Sequence, residues 1–208
     1  MRKLRQNLAI TCFTVMLSLS FSAQAANLIA FIASDTLDDS VGRSVSIDYD
    51  NIREEMKTVA GYTGLKLKEI LLEGKNNTTQ KFLEALKSLD ANEDDVIIFF
   101  YAGHGYRTPS KGSIPWPNLV FTQERKGVHK GIQYEYVIYN LMGKHPRLLI
   151  TIADVCNDVM KENRAPPVVT KALATAPNFE HIRANYRHLY LDETGMINIT
   201  SAKIGEIA

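Results

Sequence analysis

The chain has few of the residues that mark disulfide-rich, redox or metal-binding proteins. Its 208 residues include only two cysteines, Cys12 and Cys156. Two cysteines exclude a disulfide framework and a cysteine-rich metal site. The sequence also lacks the Gly-x-Ser-x-Gly elbow of serine hydrolases and a glycine-rich phosphate-binding loop, which argues against those two classes of enzyme.

An excess of charge of either sign is missing as well. The chain carries 24 basic and 23 acidic residues, for a formal net charge of +1. Proteins that bind nucleic acid or anionic membranes usually carry a strongly basic surface. The balance therefore favours neither nucleic acid nor an anionic membrane as a partner.

The first 25 residues have the pattern of a secretory signal peptide. Arg2, Lys3 and Arg5 precede an apolar stretch over residues 8–21, and Ala23-Gln24-Ala25 is a small-x-small cleavage site. A membrane anchor is the alternative, but the stretch is shorter than the ~20 residues that span a bilayer. We expect cleavage after Ala25, no stable membrane insertion, and a secreted or periplasmic protein.

Removal of residues 1–25 would leave Cys156 as the single cysteine, with 21 basic and 23 acidic residues. A lone cysteine in a secreted protein is an intermolecular bridge, a buried bystander or a reactive thiol. Without a second cysteine to resolve a mixed disulfide, thiol–disulfide exchange is disfavoured.

The remaining residues, 26–208, predict a single α/β domain. Short apolar runs alternate with segments of helical periodicity, an order that predicts a mainly parallel sheet flanked by helices on both faces. The predicted strands cover residues 27–34, 65–72, 96–101, 147–154 and 196–201. The predicted helices cover residues 48–61, 78–89, 133–142 and 178–189.

Two of these strands end in residues that can carry chemistry. The run 96–101 leads into Ala102-Gly103-His104-Gly105, and the run 147–154 leads to Cys156. Open α/β sheets bind ligands beyond the carboxyl ends of their strands. If the two strands are parallel neighbours, an imidazole and a thiol meet at one edge of the sheet.

A thiol and an imidazole in that arrangement suit nucleophilic catalysis. The imidazole can take the thiol proton and leave a reactive thiolate. Acyl transfer also needs donors for an oxyanion, and the backbone N–H groups of Gly105 and Cys156 are candidates. Gly105 suits that role because a substrate carbonyl must approach its backbone closely.

The segments around His104 and Cys156 resemble the catalytic motifs of caspase-like cysteine peptidases, a group that includes metacaspases and bacterial orthocaspases. The His of caspases lies about 50 residues before the Cys, and here the separation is 52 positions. The resemblance implies a caspase-hemoglobinase fold and peptide-bond hydrolysis through a thioester. It also implies that Cys156 is the nucleophile, His104 the general base and acid, and Gly105 part of the oxyanion hole.

The resemblance also suggests which residues contact the substrate. An acid two positions before the Cys, here Asp154, lines the pocket for a basic residue in metacaspases. Asp48 falls where those proteins keep a second acid, so we expect cleavage after Arg or Lys. Two alternatives remain open: Asp48 is only an acid at a helix N-terminus, or Arg43 binds an Asp in that pocket, as in caspases proper.

Further expectations concern the rest of the protein. The resemblance implies a small-subunit segment beyond the last strand, so residues 26–208 are either a short form of the catalytic domain or a piece of a longer chain. Self-processing is expected near Lys161, Arg164 or Lys171. No cofactor is expected, although many metacaspases need calcium, and His129, His145, His181 and His188 show no metal-ligand spacing. A catalytically silent peptide-binding module is the alternative function.

Overall fold

The computed structural model describes residues 26–121, 131–159 and 179–208. The signal peptide predicted over residues 1–25, the predicted processing segment and His129 lie outside these ranges. In the described ranges, no helix combines the length and the apolar character needed to cross a membrane.

The described elements alternate as the sequence predicts. The strands are β1 (Asn27–Ser34), β2 (Lys66–Glu73), β3 (Val96–Ala102), β4 (His104–Tyr106), β5 (Asn118–Val120), β6 (Ile132–Gln133), β7 (Leu148–Asp154) and β8 (Gly195–Thr200). The α-helices are α1 (Gly42–Thr63), α2 (Thr79–Ser88), α3 (Tyr134–Met142) and α4 (Phe179–Arg187).

Five strands form one parallel sheet in the order β2-β1-β3-β7-β8. β1 and β3 are buried along their whole length, because helices cover both faces of the sheet. One apolar cluster joins the sheet to α2 and α3, and a second joins its other face to α1 and the segment that follows α4. The predicted α/β class, with helices on both faces, is confirmed.

Helix α1 is longer than predicted at both ends. It begins at Gly42 rather than Asp48, because the apolar periodicity of its buried face starts at Val45. It continues through Gly61 and ends where Gly64 takes a left-handed conformation with φ of 78°. Asp48 therefore lies beyond the first turn, where the helix dipole has little effect, and its interpretation as an acid at a helix N-terminus is wrong.

A small antiparallel sheet of β4, β5 and β6 was not predicted. Its strands have three, three and two residues, too few for an alternating pattern to be recognised. Residues 107–117 connect β4 to β5. This sheet matters because β4 begins at His104 and holds Gly105 opposite Leu119.

Buried Asp95 joins the amino-terminal ends of three strands. Its Oδ1 accepts hydrogen bonds from the backbone N and the Nδ2 of Asn27, both at 2.7 Å, and its Oδ2 accepts one from the Asn92 backbone at 3.1 Å. Its carbonyl oxygen accepts a hydrogen bond from the backbone N of Arg147 at 2.9 Å. The carboxylate thus aligns β1 with β3, and the carbonyl aligns β7 with them.

Asp95→Ala should lower the free energy of unfolding by about 2–4 kcal/mol, because it leaves the two buried donors of Asn27 without a charged acceptor. Urea unfolding followed by circular dichroism measures the change. Asp94→Ala, at the exposed neighbouring position, is the matched control and should stay within about 0.5 kcal/mol of the unmodified protein. Equal effects of the two substitutions would contradict this assignment.

Candidate active site

The parallel pairing of β3 and β7 brings the two candidate catalytic segments together. Ala102, the last residue of β3, is in register with Asp154, the last residue of β7. The backbone N of Gly103 donates a hydrogen bond to the carbonyl oxygen of Asp154 at 3.3 Å. His104 and Cys156 therefore leave the same edge of the sheet from neighbouring strands, as the sequence predicts.

Gly105 lies directly against the main chain of the cysteine segment. A Cβ atom at this position would be 2.5 Å from the carbonyl oxygen of Cys156 and 2.7 Å from Cβ of Val155. Carbon atoms do not approach that closely without displacing something. Only glycine allows β4 to lie at this distance from the cysteine.

The residues on either side of Cys156 are held firmly. Before it, the backbone N of Val155 donates to Oγ of Ser201 at 3.0 Å. After it, the backbone N of buried Asn157 donates to the carbonyl oxygen of Glu206 at 2.9 Å. Cys156 itself is a partly exposed free thiol. The fold thus holds the partly exposed Cys156 between two anchored neighbours.

Asn157 and Arg107, two buried side chains, connect the cysteine segment to the loop between β4 and β5. Nδ2 of Asn157 donates to the carbonyl oxygen of Pro115 at 2.7 Å. The Arg107 guanidinium donates to the carbonyl oxygens of Gly112 and Ile114 at 2.6 and 2.5 Å and approaches Oδ1 of Asn157 at 3.4 Å. The sequence did not indicate this role for Arg107, because its acceptors are backbone atoms.

His104 is partly exposed and contacts a buried carboxylate. Its Nε2 lies 2.9 Å from Oδ2 of Asp38 and 3.3 Å from Oγ of Ser40. Within the described residues, no hydrogen bond joins the imidazole to Cys156, and such contacts often tighten only when substrate binds. Sequence reasoning missed Asp38, because one of several acids in a polar loop has no distinguishing spacing.

The environment of Asp38 strongly favours its ionised form. Burial is the largest influence and raises its pKa. Hydrogen bonds from Ser40 and Val41 and the nearby His104 act in the opposite direction and together lower the pKa of Asp38 to about 2. Asp38 is therefore a carboxylate across the physiological pH range.

Asp48 and Asp154, the two predicted substrate-binding acids, line one open cleft. It encloses about 370 Å³. Its lining residues are Asp48, Asn51, Ile52, Glu55, Phe100 and Asp154. Burial and the negative charge of Asp154 raise the pKa of Asp48, because two carboxylates in one cleft repel each other.

The other candidate residues lie apart from this cleft. Arg43 is an exposed residue in the first turn of α1 and does not line it. His145, His181 and His188 are exposed. Across residues 26–121, 131–159 and 179–208, no three His, Cys, Asp or Glu side chains form a set that could hold a metal ion. These ranges thus hold no ligand set for calcium, and the expectation that the protein needs no cofactor stays a prediction.

Gly105→Ala should disturb the cysteine segment, because the added methyl group would meet the Cys156 carbonyl. We expect the free energy of unfolding to fall by about 1–3 kcal/mol, as in other overpacked sites, and the rate of Cys156 alkylation by iodoacetamide to change. Gly61→Ala is the control: a Cβ at this exposed helical position meets nothing within 4 Å, and alanine favours the helix. A Gly105→Ala protein as stable and as reactive as the unmodified one would contradict the close contact.

The family model of the caspase domain matches residues 41–197, about three quarters of the chain. The matched range contains His104, Gly105, Asp154 and Cys156, and it begins three residues after Asp38. No protein of curated function shows significant similarity to the chain. The match and the parallel, helix-covered sheet confirm the predicted caspase-like α/β fold. The chain therefore belongs to the caspase-domain family of cysteine peptidases.

Proposed function

We propose that this protein is a cysteine endopeptidase that cleaves peptide bonds after Arg or Lys. The observation that carries the proposal is the shared cleft of Asp48 and Asp154. Asp154 ends β7 two residues before Cys156, so a side chain bound between the two carboxylates would belong to a peptide that reaches the thiol.

The proposed reaction uses Cys156 and His104 in the roles that the family resemblance gives them. The imidazole takes the thiol proton, and the thiolate attacks the carbonyl carbon of the peptide. Backbone N–H groups of Gly105 and Cys156 stabilise the oxyanion. The imidazolium then protonates the leaving amine, and water hydrolyses the thioester, which returns the thiol. The fixed backbone around Cys156 supports this proposal, because a nucleophile must be held in position.

The preference for a basic residue follows from the charge of the cleft. Asp48, Glu55 and Asp154 all line it, although Glu55 also accepts a hydrogen bond from the Tyr186 hydroxyl. A guanidinium or ammonium group would relieve the repulsion between Asp48 and Asp154 and form charge-assisted hydrogen bonds. A carboxylate would add to that repulsion, so the cleft disfavours an Asp substrate. The exposed position of Arg43, outside the cleft, supports the same choice.

A related proposal concerns the location of the protein. The pattern of residues 1–25 supports export to a periplasmic or extracellular location.

A second related proposal concerns self-processing. If the enzyme cleaves after Arg or Lys, its own Lys161, Arg164 and Lys171 are candidate processing sites. Mass spectrometry of the purified protein would identify the new termini.

A panel of peptides that differ only in the residue before the scissile bond tests the proposed activity. We expect hydrolysis after Arg and Lys, little after Asp or Ala, and none by Cys156→Ala. Parallel assays with calcium and with a chelator test the metal requirement. Cleavage after Asp that is lost in Arg43→Ala would overturn the assignment of the cleft. Binding of the Arg peptide without cleavage by a folded protein would instead favour the peptide-binding module.

Asp48→Asn should separate substrate recognition from stability. Loss of one charged hydrogen-bond acceptor should lower kcat/KM for the Arg peptide about 10- to 100-fold, with a much smaller effect on any residual cleavage after Ala. Asp50→Asn, an exposed position on the same helix, is the control and should leave both rates unchanged. Equal losses for the Arg and Ala peptides would contradict a role in selecting the substrate.

The same substitution should slightly stabilise the protein without substrate. The pKa of Asp48 is raised in the folded state, so its ionisation opposes folding, and the penalty is present at pH 7 and absent below about pH 4. Because solvent screens this half-buried pair, Tm at pH 7 should rise by only about 1–2 °C. Thermal unfolding at pH 7 and at pH 3 measures the change in Tm. A gain of the same size at pH 3 would contradict the electrostatic cause.

A further inference from the structure

The loop between β1 and α1 brings a buried carboxylate to the candidate catalytic histidine. Asp38 lies in this loop, 66 positions before His104, and its Oδ2 is 2.9 Å from Nε2 of the imidazole. The Asp38 side chain is 3% exposed, whereas that of His104 is 38% exposed. The histidine therefore has one edge against a buried anion and another part open to solvent.

The two oxygens of Asp38 have different surroundings. Oδ1 accepts hydrogen bonds from the backbone N of Ser40 at 2.6 Å, the Oγ of Ser40 at 2.5 Å and the backbone N of Val41 at 2.8 Å. These bonds organise the chain just before α1 begins. Oδ2 is the oxygen directed at His104. The hydrogen bonds of its own loop thus fix the orientation of the carboxylate, independently of the contact with the imidazole.

A purely structural role would explain only half of this arrangement. An acid that organises the start of a helix needs one oxygen for the local N–H groups. It does not need its second oxygen on a ring nitrogen from a distant strand end. The contact instead joins the loop after β1 to the first residue of β4, and it fixes the position of the imidazole.

We propose that Asp38 is a positioning residue that keeps the His104 proton on Nε2, so that Nδ1 is the basic atom available to Cys156. A carboxylate has no proton to donate at neutral pH, so Nε2 must carry the hydrogen that joins the two groups. The consequence for turnover rests on the proposed peptidase function. The arrangement of the imidazole does not.

The same contact stabilises His104 after it accepts the thiol proton. Nδ1 gains the proton that Cys156 loses, the imidazole becomes a cation, and a buried anion lies 2.9 Å from its other nitrogen. The Asp38 carboxylate stays ionised throughout, and the proton later leaves Nδ1 with the amine product. This is the role of the third member in a nucleophile–His–carboxylate triad.

Asp38→Asn tests the proposal because it changes the donor properties of the side chain and very little of its shape. The amide oxygen can still accept the hydrogen bonds from Ser40 and Val41. The amide nitrogen that replaces Oδ2 is a donor, so Nε2 must become the acceptor and the ring proton must move to Nδ1. Nitrogen-15 NMR of labelled histidine distinguishes the two tautomers in the full chain without substrate.

Three measurements on one set of proteins decide the outcome. The neutral imidazole of the unmodified protein should be protonated on Nε2, and that of Asp38→Asn on Nδ1. Alkylation of Cys156 at neutral pH should slow about 100-fold in the variant, since its base is blocked. Cleavage of the Arg peptide should lose about 10³- to 10⁴-fold in kcat with little change in KM. Asp39→Asn, at the exposed neighbouring position, should change none of the three.

The outcomes separate this inference from the proposed function. A folded protein that cleaves no peptide but shows the tautomer change and slower alkylation would refute the peptidase and keep the role of Asp38. Cleavage that is equally fast in Asp38→Asn, with an unchanged tautomer, would support the peptidase and refute the role of Asp38. If the variant does not fold, the unmodified protein decides alone, because a proton on Nδ1 of its neutral imidazole would overturn the proposal.

Discussion

The parallel pairing of β3 with β7 is the interaction on which the rest of the structure depends. Backbone hydrogen bonds hold the two strands in register from Val96 with Leu148 to Ala102 with Asp154. Apolar side chains on both faces bury this ladder between two helical layers, which excludes water and makes a shift of register costly. His104 and Cys156 are not part of the apolar core. Their positions therefore depend on the register of the two strands that lead to them.

Electrostatics then shifts the pKa values of two carboxylates, Asp38 and Asp48, in opposite directions. Asp38 has hydrogen-bond donors and an imidazole around it, and its pKa is lowered. Asp48 faces Asp154, and its pKa is raised. Asp38 has an imidazole and hydrogen-bond donors beside it, whereas no Lys, Arg or His of the described residues lines the cleft that Asp48 and Asp154 share. A fold that keeps two carboxylates in one cleft loses some stability, as folds often do at functional sites.

The sequence predicted most of the fold because the elements have strong local signals. The apolar runs that became β1, β3 and β7 are long enough to be recognised, and the Cys and His follow two of them directly. The three strands of the small sheet were missed because hydrogen bonds to distant partners, rather than periodicity, define them. Helix α1 was predicted too short because the polar residues near its start concealed the apolar position at Val45.

By itself, the sequence determined the class of the fold and the pair of strand ends with a thiol and an imidazole. These depend on residue type and spacing along one chain. Only the tertiary structure decided that Gly105 touches the cysteine backbone, that Arg107 and Asn157 fasten the adjacent loop, and that Asp38 contacts His104. Each of these is a contact between segments far apart in sequence, and no local pattern encodes which partner a buried polar group will find.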